Sequence, residues 1–245
     1  MAGDSRCKKI KVRSFTMIKT KTDLRHYLVE DLKWHGGKCP SFKDYVFNSE
    51  WLHIWGYIKS LRYYEYYENN KTRGLWFKCM WYWRKLKHHR LSTRLNIRIW
   101  PNTIGPGLYI PHLGTIFISS HAQIGSNFII RPGCVIGDVR NTHAGHAVIG
   151  DNVELSLGVK MFGNVRIGRE CIINGNAVVT GKVPPYSIVL GNPGKVVGFK
   201  MEPGEIIEYE KVQYEERDRL CSEVLERNYQ KYYESRRKQI LELLR

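Results

Sequence analysis

The middle of this chain predicts a parallel β-helix, a solenoid of short flat strands joined by tight turns. Three observations carry that class. Stepping by six from Ile149 meets Leu155, Met161, Ile167, Ile173 and Val179. Upstream of one irregular stretch the ladder runs Ile118, Ile124, Ile130 and Ile136, and beyond a two-residue slip it holds Ile104 and Ile110. Small or turn-prone residues follow many rungs, among them Gly105, Gly125, Gly137, Gly150, Ser156, Gly168, Asn174 and Thr180. A period of six fits neither a strand's two nor a helix's 3.6, but it is the repeat of a hexapeptide solenoid.

The elements follow in order. Residues 1–95 predict a mainly helical region, basic and aromatic. One helix is expected over 49–68, where Ser49 can cap and Trp51, Leu52, Trp55, Ile58 and Leu61 recur at helical spacing, with Asn69 and Asn70 as breakers. A second, over 74–90, carries Leu75, Trp76, Cys79, Trp83 and Leu86. It ends in Arg84, Lys85, Lys87, His88, His89 and Arg90, which suit the negative end of the helix dipole. Residues 96–200 hold the solenoid. Twelve rungs at three per coil make about four coils of roughly 4.8 Å each, a column too short to bury much without caps and partners. Residues 201–245 predict a charged helical tail whose Leu220, Val224 and Leu225 could dock as one cap.

Charge is unevenly placed. Of the net +16, residues 1–100 hold 22 Lys and Arg against 8 Asp and Glu, while the rest of the chain holds 17 against 15. All seven tryptophans also lie in the first hundred residues. A basic, aromatic segment suits an anionic membrane face, whereas no nucleic-acid module accompanies the charge, so nucleic acid is not an expected partner. The six cysteines are scattered singly, without metal-ligand spacing, and read as reduced thiols; no metal is expected. No signal-peptide core or membrane-spanning run is present, which makes the cytoplasm the expected compartment, with possible peripheral association at the inner membrane face.

Insertions must leave a solenoid as loops, so breaks in the period are where function is sought. The break between Ile110 and Ile118 contains Pro111, His112, Leu113 and Gly114. The one between Ile136 and Ile149 contains Arg140, Asn141, His143, Gly145 and His146. A histidine thus stands at each break.

These residues carry a resemblance. The stretches Gly107–Thr115, His146–Gly150 and Val183–Lys195, the last with Gly191-Asn-Pro-Gly-Lys195, resemble the serine acetyltransferase family of left-handed β-helix acyltransferases. The resemblance covers roughly residues 95–200 and extends to relatives in surface-polysaccharide gene clusters. It implies a left-handed coil, a homotrimer, and acetyl-CoA held in the groove between adjacent columns. It also implies His112 as general base, since an alkyl hydroxyl is a poor nucleophile and neutral imidazole can take its proton at pH 7. His146 would stand opposite, in the acceptor or thioester region. Backbone N–H groups near Leu157 and Gly175 would pair with the pantetheine amides, and Lys195 would meet the nucleotide phosphates.

Three departures concern the acceptor. The family's acid before the catalytic histidine is Pro111 here, the arginine before the second histidine is Gly145, and the aspartate that orients the base aligns near Ile97, with Asn96 or Asn102 as weak substitutes. A zwitterion leaving water needs both charges paired. The sequence therefore favours a neutral acceptor: an acetyl-CoA-dependent O-acetyltransferase acting on a sugar or glycan hydroxyl in capsular, exopolysaccharide or lipopolysaccharide biosynthesis. Two alternatives stand beside it. One is a serine O-acetyltransferase of cysteine biosynthesis whose missing anchors come from the N-terminal segment, and the other is a non-catalytic binding or assembly module.

Overall fold

Three short strands make each coil of the column, and the coils stack so that like strands pair in parallel. The computed structural model describes residues 16–138 and 145–199. The tail expected over 201–245, with its proposed cap, and the loop residues Arg140, Asn141 and His143 lie outside the described residues. Coil one holds β1 (Ile97–Arg98) and lone bridges at Ile104 and Tyr109. Coil two holds β2 (Ile116–Ile118), β3 (Gln123–Ile124) and β4 (Ile129–Ile130). Coil three holds β5 (Val135–Gly137), β6 (Val148–Ile149) and β7 (Glu154–Leu155). Coil four holds β8 (Lys160–Phe162), β9 (Arg166–Ile167) and β10 (Ile172–Ile173). Coil five holds β11 (Val178–Val179), β12 (Lys182–Val183) and β13 (Ser187–Leu190), and β14 (Lys195–Phe199) folds back antiparallel on β13.

The three faces are the stacks β1-β2-β5-β8-β11, β3-β6-β9-β12 and β4-β7-β10-β13-β14. Every rung of the sequence ladder points inward and is buried: Ile118, Ile124, Ile130, Leu155 and Ile173 are all fully enclosed. A second inward ladder stands two residues before the first, at Phe128, Cys134, Ala147, Val153, Val159, Val165, Cys171 and Ala177, because alternate residues of a strand share a face. Each enclosed isoleucine or leucine contributes about 1.5–3 kcal/mol of transfer free energy.

The column has five coils rather than about four. Its end coils slip off the period: Arg98 pairs with Phe117, which sets Ile99 beside Ile118, and Val183 follows Val179 by only four residues while pairing with Ile167.

Four helices precede the column: α1 (Lys21–Lys33), α2 (Phe42–Val46), α3 (Glu50–Asn70) and α4 (Leu75–Leu95). Ser49 does cap α3, its Oγ accepting from Leu52 N–H. Asn69 and Asn70 extend the helix instead of breaking it, because their side-chain amides are spent on Ile18 O, Asn102 Oδ1, Lys19 O and Tyr66 O. Helix α3 is the observed cap on the first coil: Ile54, Trp55, Tyr57, Ile58 and Leu61 join the core of the column. A buried ion cluster fixes this junction. Arg62, fully enclosed, donates to Asp31, Glu65, Ile104 O and Gly105 O. Asp31 in turn accepts from Gly107 and Leu108 N–H, and Glu65 accepts from Asn102 N–H. One guanidinium thus faces two carboxylates, and the N–H groups of Gly107, Leu108 and Asn102 supply the further hydrogen bonds that let the buried cluster be tolerated.

Candidate active site

The corner between Ile110 and β2 must carry the chain from the third face to the first in few residues. Gly114 makes this possible: its φ is +146°, and a Cβ there would stand 2.8 Å from Pro132 Cβ, so a side chain would strain the backbone and push the two corners apart. Beneath Pro111-His112-Leu113-Gly114 the same corner repeats in each coil. Gly133 N–H donates to Thr115 O, Gly158 N–H to Pro132 O, and Asn176 N–H to Leu157 O. Below these, Val178 N–H donates to Gly191 O and Gly194 N–H to Val178 O. His112, Leu157, Gly175 and the turn that leads into Lys195 therefore stand on one edge of the prism. From first coil to last the edge is roughly 19 Å tall, at about 4.8 Å per coil. Leu157 is exposed, and the N–H groups of Leu157 and Gly175 are not spent on this ladder. Lys195 begins β14 and is exposed.

His112 is exposed and has a partner that the sequence reading missed. Its Nδ1 lies 3.2 Å from Glu50 Oε2, and the other carboxylate oxygen accepts the backbone N–H of Leu113. Glu50 is the first residue of α3, where a carboxylate also faces the positive end of the helix dipole. Ser49 Oγ donates to Asp44 Oδ1, which ties down the start of the helix. Partial burial pushes the Glu50 carboxyl up, but the Leu113 N–H and His112 outweigh it and hold the group below its ordinary range. Neither Ile97, which is enclosed in the column, nor Asn102, which bonds Asn69, serves His112. Asn96 donates to Thr115 Oγ1.

His146 stands at a different edge, at the corner between the first and second faces, so within one chain the two histidines are not brought together. Around it lie groups that the sequence reading did not single out. Arg166 of β9 donates from Nη1 to His146 O at 2.8 Å. A Cβ on Gly145 would lie 3.5 Å from Arg166 Nη2 and 3.1 Å from Asn164 Oδ1. Asp138 accepts from His121 Nδ1 at 2.8 Å and from Ser119 Oγ. Burial pushes Asp138 up, but Ser119, His121 and His146 prevail and keep its carboxyl low. No described residues cluster in a way that could hold a metal ion.

No profile of a known protein family matches the chain. Over 96 residues it is 34% identical to a serine acetyltransferase of Mycobacterium tuberculosis, a match covering 39% of this chain and 42% of that protein. Over 95 residues it is 38% identical to a Staphylococcus aureus serine acetyltransferase, covering 38% and 45%. The chain thus spans less than half the length of these curated relatives. Among solved structures, Neisseria gonorrhoeae serine acetyltransferase superposes with a TM-score of 0.55 at 25% identity, over 75% of this chain and 68% of that one. Soybean serine acetyltransferase complexed with serine gives 0.56 at 23%, over 72% and 70%, a likeness of fold alone.

This likeness corrects the expectation of a sugar or glycan acceptor, and with it the placement in surface-polysaccharide biosynthesis: the relatives are named for serine. The reason is geometric. Positions 111 and 145 carry no charge, but the fold sets a carboxylate beside His112 from α3 and a guanidinium beside His146 from β9. The central column is a left-handed hexapeptide β-helix of the kind that serine acetyltransferases carry.

Proposed function

We propose that this protein transfers an acetyl group from acetyl-CoA to the hydroxyl of serine, with His112 as the general base. The observation that carries the reading is the Glu50–His112 pair at the head of the edge that also holds Leu157, Gly175 and Lys195. Glu50 accepts from Nδ1–H, which leaves the Nε2 lone pair open toward solvent and fixes the tautomer a base requires. His112 takes the hydroxyl proton as the serine oxygen attacks the thioester carbonyl. The C–S bond then breaks, and the proton passes to the departing thiolate, giving O-acetylserine and free CoA. The N–H groups of Leu157 and Gly175 hold the pantetheine amides, and Lys195 meets the nucleotide phosphates.

The acceptor's two charges find partners at the second edge. Arg166 offers its guanidinium to the carboxylate, and Asp138, engaged by Ser119 and His121 through one oxygen, is the anion available to the ammonium. His112 and His146 occupy different edges of one column, so a site using both needs two columns side by side. A homotrimer, with the His112 edge of one copy facing the His146 edge of the next, supplies this. Both substrates place the reaction in the cytoplasm.

The test is to mix full-length protein with acetyl-CoA and serine, follow thiol release, and identify O-acetylserine by mass spectrometry. Thiol release that does not depend on serine, or none at all, overturns the reading.

A further inference from the structure

Helix α4 has two apolar faces where a surface helix needs one. The inner face is used: Phe77, Met80 and Trp81 pack against α1 and α3, and Leu91 and Leu95 against the column. The outer face carries Leu75, Cys79, Tyr82 and Leu86, at i, i+4, i+7 and i+11, with Trp76 and Trp83 alongside. These point to solvent: Leu75 is 78% exposed, Trp76 61%, Tyr82 59% and Trp83 50%.

The charges on α4 say what this face fits. The helix holds Lys78, Arg84, Lys85, Lys87, Arg90 and Arg94 and no acidic residue. On the helical wheel Lys78 and Lys85 flank the outer stripe on one side and Lys87 on the other, with Arg90 and Arg94 in its last turns. The nearest acid on the packed element, Glu68 of α3, is already held by Lys71 and the Trp81 indole N–H. Tyrosine and tryptophan prefer the boundary between hydrocarbon and water, and lysine stems reach from an apolar face to phosphates. A second copy of α4 would bring like charges together, whereas anionic headgroups complement them. No described helix is long and apolar enough to cross a membrane, so the helix would lie on a bilayer rather than through it.

We propose that α4 is an in-plane docking helix for an anionic lipid surface. This is independent of the acetyl-transfer reading, because α4 contributes no residue to the His112 or His146 corners.

The experiment sediments the full chain with vesicles of phosphatidylcholine alone and with vesicles of phosphatidylcholine and phosphatidylglycerol in equal parts. Wild type binds the mixed vesicles at low salt and is released at high salt. Lys85→Gln with Lys87→Gln weakens binding roughly 30-fold, and Trp76→Ser with Trp83→Ser abolishes it. Circular dichroism and vesicle-free acetyl transfer stay unchanged in both variants. Three outcomes overturn the proposal: no wild-type binding to mixed vesicles, equal binding to neutral ones, or indifference to the lysine pair. If wild type ignores vesicles and the tryptophan pair alters particle size by light scattering, α4 is a contact between copies and the proposal falls. Serine-dependent transfer is read without vesicles, so the two ideas fail separately.

Discussion

Glu50, at the start of α3, and His112, on a corner of the column 62 residues later, meet at 3.2 Å, and the same carboxylate takes the neighbouring Leu113 N–H. One carboxylate thus fixes both the ring and the backbone that carries it. The two donors meet different oxygens, and glutamine puts an NH2 donor in place of one of them, so in the same pose one donor loses its acceptor. Glu50→Gln should lower kcat by about 10²–10³ while leaving KM for acetyl-CoA near wild type, and His112→Ala should lower kcat by about 10²–10⁴. Steady-state kinetics check both. A Glu50→Gln enzyme within a few-fold of wild type would remove Glu50 from positioning the base.

The column was legible because its physics is local and periodic. An inward isoleucine every six residues can be counted, and Ile118, Ile136 and Ile173 sit where the count puts them. Its ends were not, because Ile99, Val183 and Val189 leave the period where the coil meets a cap or a fold-back. Arg166 could have been found: β9 lies under β6, with Val148 paired to Arg166, so one coil of three rungs below the His146 corner leads to it. Glu50 could not. Nothing in a capped helix start indicates which corner of a distant solenoid it will touch, and that contact depends on how α1 and α3 dock through Arg62.

Gly114 tests whether the corner geometry matters for activity. Gly114→Ala forces a side chain into a φ of +146° and against Pro132. A loss of about 1–3 kcal/mol in stability is expected, together with a fall in kcat because His112 rides on the same turn. Gly181→Ala is the control, since its Cβ would meet nothing within 4 Å. Denaturant midpoints and kcat for the two variants should diverge. Equal behaviour would mean that the corner yields without cost.

His88 of α4 gives a pH signature. It is buried between Tyr57 and Tyr64, its Nε2 near Ile99 O and its Nδ1 without a partner among the described residues. Burial pushes its pKa down to about 4. The folded state then binds fewer protons than the unfolded chain between the free-histidine value and that figure. Stability should therefore fall as pH drops from about 6.5 to 4, by about 3 kcal/mol in all, and level off for this group below that. His88→Phe should remove this part of the pH dependence. Urea denaturation across the window measures it, and identical slopes in both proteins would contradict the assignment.

Arg166 decides whether the second edge reads a carboxylate. Its Nη1 is held by His146 O, and no carboxylate pairs with it among the described residues, so its remaining donors are free to meet an anion. Arg166→Gln should raise KM for serine by about 10–100-fold, the size of a lost charge-assisted hydrogen bond, and leave KM for acetyl-CoA unchanged. Serinamide, which keeps the hydroxyl and the ammonium but has no carboxylate, separates recognition from a shifted His146. If Arg166 binds the carboxylate, wild type and variant should use serinamide equally poorly. If the variant has merely displaced His146, serinamide turnover should fall in step with serine turnover, and the carboxylate must be met elsewhere.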